Sequence, residues 1–120
     1  MTRFTEAQWQ RLVALLDEQE TRARRQLAAL DAAIKPVPRG ELTEYAELAD
    51  QKAGDQANDV MLAHYRNELV QIEAARERMQ DDRYGICMDC GEAIPFLRLQ
   101  AQPTAQCCLT CQAARERRWG

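Results

Sequence analysis

All five cysteines of the 120-residue chain fall in one stretch, YGICMDCGEAIPFLRLQAQPTAQCCLTC, from Tyr84 to Cys111. Cys87 and Cys90 form one C-x-x-C, Cys108 and Cys111 form another, and 17 residues separate Cys90 from Cys108. Two such knuckles present four thiolates to one tetrahedral Zn²⁺, for which sulfur is a preferred ligand. Gly91, directly after the second cysteine, suits a knuckle turn that needs φ > 0. Four cysteine ligands leave no open coordination position, so one zinc per chain would be structural and would not activate a water. Cys107 is the fifth thiol. We read it as a small buried residue, with a substitute ligand or an oxidisable thiol as the alternatives.

Other chemistry finds little support. The chain has no serine, and its one histidine, His64, falls inside a helical pattern with no cysteine nearby in sequence, so no enzyme is expected. The first residues, MTRFTEAQWQRL, lack the apolar run of a signal peptide, and no stretch of about 18 apolar residues occurs, which predicts a cytoplasmic protein without a membrane span. In that reducing compartment a dense cysteine cluster is more often a metal site than a disulfide framework, and an odd count cannot pair fully. A net charge of −3 gives no overall drive toward nucleic acid.

The elements that must carry this module are helices. Charged residues make up 29% of the chain and aromatics 6%, a balance that disfavours a β-sandwich. Thr5 and Gln8 form a capping-box pattern. Behind it Trp9, Val13, Leu16, Glu20, Ala23, Leu27, Leu30 and Ile34 keep a heptad rhythm, which predicts a helix from about Glu6 to Ile34, ended by KPVPRG. A second rhythm through Leu62, Tyr65, Leu69, Ile72, Arg76 and Met79 predicts a helix starting between Asp50 and Asp59 and ending near Asp81. Two amphipathic helices of this kind bury their seams against each other as an antiparallel hairpin.

The expected fold is therefore mainly α. A long antiparallel helical hairpin (coiled coil) over residues 1–82 has its tip around 35–59, and a four-cysteine zinc finger with a short C-terminal helix, Gln112 to Trp119, occupies 83–120. Pro95 and Pro103 keep the inter-knuckle loop from forming one helix, and Ile94, Phe96, Leu97 and Leu99 form its apolar cluster. The two ends carry opposite charge. Glu41, Glu44, Glu47, Asp50, Asp55 and Asp59 against Lys52 give −5, whereas Arg98, Arg115, Arg117 and Arg118 against Glu116 give +3. A solvated helix face is the plain reading of the acidic run.

The stretch YGICMDCGEAIPFLRLQAQPTAQCCLTCQ resembles the zinc-finger signature of the DksA/TraR family of bacterial transcription regulators. Shared elements are the aromatic-Gly-x-Cys lead-in, the C-x-x-C-G knuckle, the I-P and R-L segments, the A-x-P-T-A run and the closing C-x-x-C. The resemblance implies direct binding to RNA polymerase without sequence-specific DNA binding. It also implies insertion of the coiled-coil tip into the secondary channel, where acidic and small residues act near the catalytic centre to modulate initiation. The family's best-known tip pattern, D-x-x-D-x-A, maps onto GDQANDV with Asp55 and Ala57 in its last two fixed positions and Lys52 in the first. Alternatively Asp55 and Asn58 take the aspartate positions and Val60 replaces the alanine. Asp55, Ala57 and Asp59 are the tip candidates, and Arg98 and Arg115 the interface candidates. In ppGpp-responsive members, basic residues precede the A-x-P proline and follow the last cysteine. Gln102 and Gln112 stand there, which predicts weak or absent ppGpp dependence.

Two readings from other classes compete. One is a zinc-ribbon adaptor that binds DNA or protein through Arg115, Arg117, Arg118 and Trp119 on its C-terminal helix. The other is a thiol redox sensor that uses Cys107 and the dithiol character of the knuckles.

Overall fold

The computed structural model describes residues 4–33 and 45–119, with backbone only at 33, 45–56 and 119. Four helices follow one another: α1 (Glu6–Ala33), α2 (Tyr45–Gln80), α3 (Phe96–Ala101) and α4 (Leu109–Trp119). The molecule is elongated, with a radius of gyration of 19.6 Å and extents of 64 × 33 × 21 Å. A compact chain of this length has a radius of about 14 Å.

α1 starts where the capping box places it. The Thr5 N–H donates to Gln8 Oε1 at 3.0 Å and the Gln8 N–H to Thr5 Oγ1 at 3.1 Å, which satisfies two amides that an uncapped helix leaves unpaired. α1 and α2 pack antiparallel. Gln19 Nε2 donates to Glu68 Oε1 at 2.9 Å, and Arg76 bridges to Asp17 at 2.7 Å and Glu20 at 2.8 Å. Leu12, Leu16, Ala23, Leu62, Ile72 and Ala75 are buried along the seam.

The expected seam needs two corrections. Leu12 is 0% exposed and Val13 36%, so the buried row passes through Leu12 and not Val13. At its base α1 packs against α3 as well as α2, and this second neighbour turns the buried face toward Leu12. On α2, Ala75 and Arg78 join the buried set between the expected Ile72 and Met79. α2 also begins at Tyr45, ahead of the expected window, so residues 45–59 of the expected tip are helical. Tyr45 to Ala49 is rich in helix formers, and Gly54, which costs about 1 kcal/mol relative to alanine, does not interrupt so long a helix. Residues 34–44, with Ile34, Glu41 and Glu44, lie outside the described residues.

α2 closes with Asp82 at φ 57°, a left-handed residue beyond the helix end. Its neighbour's N–H, on Arg83, returns to the Arg78 carbonyl at 2.8 Å, and the Tyr84 N–H reaches the same oxygen at 3.1 Å. This is the Schellman-type bond that satisfies terminal carbonyls, and it turns the chain into the cysteine module. One buried cluster spans the junction. Leu12, Leu16, Ile72 and Ala75 of the hairpin pack with Tyr84, Cys87, Ile94, Leu99, Ala105 and Cys107. Tyr84 stands edge-on to Trp9 at 5.9 Å and near Phe4 at 6.3 Å, and its hydroxyl donates to the Pro103 carbonyl at 2.7 Å.

Candidate metal centre

The first knuckle forms because Ile86 and Ala93 pair as an antiparallel bridge across the turn. The Cys87 N–H donates to Glu92 O at 2.8 Å, the Gly91 N–H to Cys87 O at 3.0 Å and the Ile94 N–H to Gly85 O at 2.7 Å. Gly91 has φ 76°, the left-handed conformation expected from its place after Cys90. The Met88 N–H donates to Gln106 O at 2.9 Å and brings the second knuckle alongside. α4 then starts at Leu109, three residues ahead of the expected Gln112, so Cys111 lies on its first turn. Ile94 and Leu99 are buried as expected, whereas Leu97 is 77% exposed because it projects from the outer face of the one-turn α3.

These turns gather four thiols. The sulfurs of Cys87, Cys90, Cys108 and Cys111 all lie within 4.8 Å of one another, and Cys90 Sγ is 3.8 Å from Cys108 Sγ. A tetrahedron with bonds of about 2.3 Å to sulfur has an edge of about 3.8 Å, so the donor set fits one zinc and the separation is far too long for a disulfide. The electrostatics agree. Burial pushes the Cys87 thiol up, but hydrogen bonds from the Cys90, Cys108 and Asp89 backbone outweigh it and bring it down to about 6. At Cys90 a backbone hydrogen bond at Glu92 favours the thiolate, yet the Cys87 sulfur and burial leave the thiol above its ordinary value. The Cys108 and Cys87 sulfurs hold Cys111 higher still. A divalent cation relieves this crowding of sulfurs.

Cys107 is 0% exposed, in keeping with its reading as a buried residue. Burial raises its thiol to about 11, and its Sγ lies 3.6 Å from Asp89 Oδ2. The surrounding cations were only partly legible. Arg98 donates from Nε to the Cys107 carbonyl at 2.9 Å, and Arg115 forms a two-pronged pair with Asp89 at 2.7 and 2.6 Å that holds the carboxyl below its usual range. Arg78, 7% exposed, reaches the Thr104 carbonyl at 3.4 Å. Nothing in the spacing announced Asp89, 26 residues from its partner.

The tip candidates are not brought to this centre. Ala57 and Asp59 are exposed on α2, and Asp55 lies on the same helix with its side chain outside the described residues. His64 is on the α2 surface near Glu68 and Tyr65.

Residues 82–117 match the family described as the prokaryotic dksA/traR C4-type zinc finger. Over nearly the whole molecule the fold is that of DksA2 from Pseudomonas aeruginosa. The TM-score is 0.79 at 27% identity, covering 94% of this chain and 86% of that one. The chain's finger is that of the DksA/TraR family. In keeping with that family's C4-type finger, the four thiols hold one structural zinc. Two similar proteins are named RNA polymerase-binding transcription factor DksA. That of Caulobacter vibrioides is 35% identical over 81 residues, or 65% of this chain and 57% of the relative. That of Haemophilus influenzae is 32% identical over 79 residues, or 63% and 54%. The chain thus matches little more than half the length of these curated relatives.

Proposed function

We propose that the chain is a non-enzymatic transcription regulator that binds RNA polymerase directly, with zinc fixing the base of a helical arm. The observation that carries this reading is the long hairpin, α1 and α2, joined through one buried cluster to a four-cysteine centre in a fold shared with DksA2. On this reading residues 1–82 are the arm and 83–120 the base. The far end of the arm enters the secondary channel and modulates initiation there. Asp55, Ala57 and Asp59 approach the catalytic centre, where carboxylates perturb the Mg²⁺ and basic surroundings. Arg98 and Arg115 belong to the polymerase-facing surface of the base.

Register sets Asp55 and Asp59 beside the last turns of α1, with the first turns of α2 reaching beyond them. Gln19 faces Glu68, so Ala33, fourteen residues on, lies level with about Gly54, and α2 continues for roughly another two turns beyond the end of α1. The relatives named as binding RNA polymerase support the choice of partner. No helix among the described residues is long and apolar enough to cross a membrane, which accords with action on a cytoplasmic enzyme. Gln102 and Gln112 supply no charge to phosphates, so ppGpp adds little. Gln112 is already engaged with Glu116 at 3.3 Å.

The test is affinity for bacterial RNA polymerase in the absence of DNA. The zinc-loaded protein is expected to bind, and Asp55→Lys with Asp59→Lys to bind more weakly. No binding by either form overturns the proposal, and equal binding removes the tip from the interface.

A further inference from the structure

Asp89 stands between the two cysteines of the first knuckle, and Arg115 lies on α4 one turn past Cys111, the last cysteine of the second. Arg115 Nε and Nη2 donate to Asp89 Oδ2 and Oδ1 at 2.7 and 2.6 Å. This contact joins the two halves of the centre by a route that does not pass through the metal. Apart from Cys111, which packs against the buried cluster, it is the side-chain tie from α4 to the first knuckle among the described residues. α4 packs against no other helix, and its other side-chain hydrogen bond, Gln112 to Glu116, stays within the helix. The same carboxylate also receives the Cys107 thiol at 3.6 Å, and Arg98 holds the Cys107 carbonyl, so the residue before Cys108 is tied to the same knuckle.

We propose that Asp89 and Arg115 are a positioning pair that holds the Cys87–Cys90 and Cys108–Cys111 halves at metal-binding separation, and so sets how long the centre keeps its zinc. The physical reason is geometric. Four sulfurs must be held within 4.8 Å of one another to take one cation, and α4 has no helix behind it to hold its share of them there. A two-pronged guanidinium–carboxylate contact fixes both distance and orientation, which a single ion pair does not. The pair is partly exposed, with side chains 37% and 38% accessible, so it adds little to overall stability, and its effect is concentrated on the metal. Substituting residues that orient metal ligands typically costs 10–100-fold in metal affinity.

A plain counterion role makes the opposite forecast for one variant. Four thiolates and one Zn²⁺ leave a net negative centre, so a bare cation at Arg115 would help and a bare anion at Asp89 would hurt. Asp89→Asn would then tighten zinc. A positioning pair requires that both Asp89→Asn and Arg115→Gln loosen it.

The experiment uses the full chain loaded with Zn²⁺ and follows transfer of the metal to a chromophoric chelator, for the wild type, both single variants and the double variant. Each single variant is expected to lose zinc about tenfold faster and to bind it about tenfold more weakly. The double variant should be no worse than either single one, since the contact is broken once. Unchanged retention in the single variants, tighter zinc in Asp89→Asn, or losses that multiply in the double variant each overturn the proposal. A wild-type chain that takes up no zinc overturns it together with the metal centre. A chain that holds zinc tightly in every variant overturns the pair alone.

Discussion

Gly85 and Gly91 both adopt left-handed backbone, at φ 82° and 76°, yet their surroundings differ. A Cβ on Gly91 meets nothing within 4 Å, whereas one on Gly85 falls 2.6 Å from Phe4 Cζ and 2.9 Å from Phe4 Cε2. Gly91→Ala therefore carries the backbone penalty alone, about 1–2 kcal/mol for an L residue in this region. Gly85→Ala carries the same penalty and must also displace the Phe4 ring. That ring packs near Trp9 and Tyr84 at 6.2 and 6.3 Å, and each such pair is worth roughly 0.5–1.5 kcal/mol beyond burial. The expected total for Gly85→Ala is about 2–5 kcal/mol. Urea unfolding at fixed, saturating free zinc measures both variants on one scale. Gly85→Ala should cost at least about 1 kcal/mol more than Gly91→Ala, and the excess should vanish in a Phe4→Ala background, where no ring remains to be moved. Equal costs in the wild-type background, or an excess that survives Phe4→Ala, would refute the reasoning.

Two further predictions concern charge. The Cys90 and Cys111 thiols are held above their ordinary values, so both are protonated near pH 7 and must release protons when zinc binds. The logarithm of zinc affinity should therefore rise by about two or more per pH unit near neutrality, steepening below about 6 where Cys87 also protonates, as chelator competition across pH would show. A slope of about one or less contradicts it. Arg76→Gln should cost about 1 kcal/mol in urea unfolding, since it breaks partly exposed contacts to Asp17 and Glu20 across the hairpin. The Arg76 hydrogen bond holds the Glu20 carboxyl below its ordinary range, so this contribution is present at neutral pH and is lost as pH falls through that lowered value. A penalty unchanged in acid and at about 1 M salt, where screening acts within about 3 Å, would assign it to packing of the arginine stem.

The parts of the molecule legible in the sequence are those set by short-range geometry. The two C-x-x-C knuckles, Gly91 and the Thr5–Gln8 box each fix their chemistry within three residues, and the structure places all of them as expected. Heptad spacing was enough for the hairpin but not for its phase. Leu12 and Val13 are equally apolar neighbours, and the choice between them falls to α3, which packs against the base of α1 from far along the chain. The start of α2 was hidden by Gly54 and its polar neighbours, which read as a loop locally yet add only a small cost to a 36-residue helix. Asp89 was invisible because a pair 26 residues apart leaves no periodic signal, and Arg115 looked like a free surface cation until its partner was seen.

The placement of the zinc, far from the acidic end of the arm, has a mechanical reason. Cys87 is at once a member of the thiol set and part of the cluster that includes Leu16, Ile72, Tyr84 and Leu99. The finger therefore cannot swing away from the hairpin without pulling a metal-binding residue out of the apolar junction. A helix of 36 residues is about 54 Å long, so roughly 10° of play at its base would move its far end by about 9 Å, more than enough to misplace a carboxylate. The aromatic contact of Phe4, Trp9 and Tyr84, the capped start of α1 and the Schellman-type end of α2 all act at that base. On the proposed function, an arm that works by where its end reaches needs its rigidity at the other end. In this chain the zinc, the junction core and the Asp89–Arg115 contact are concentrated there.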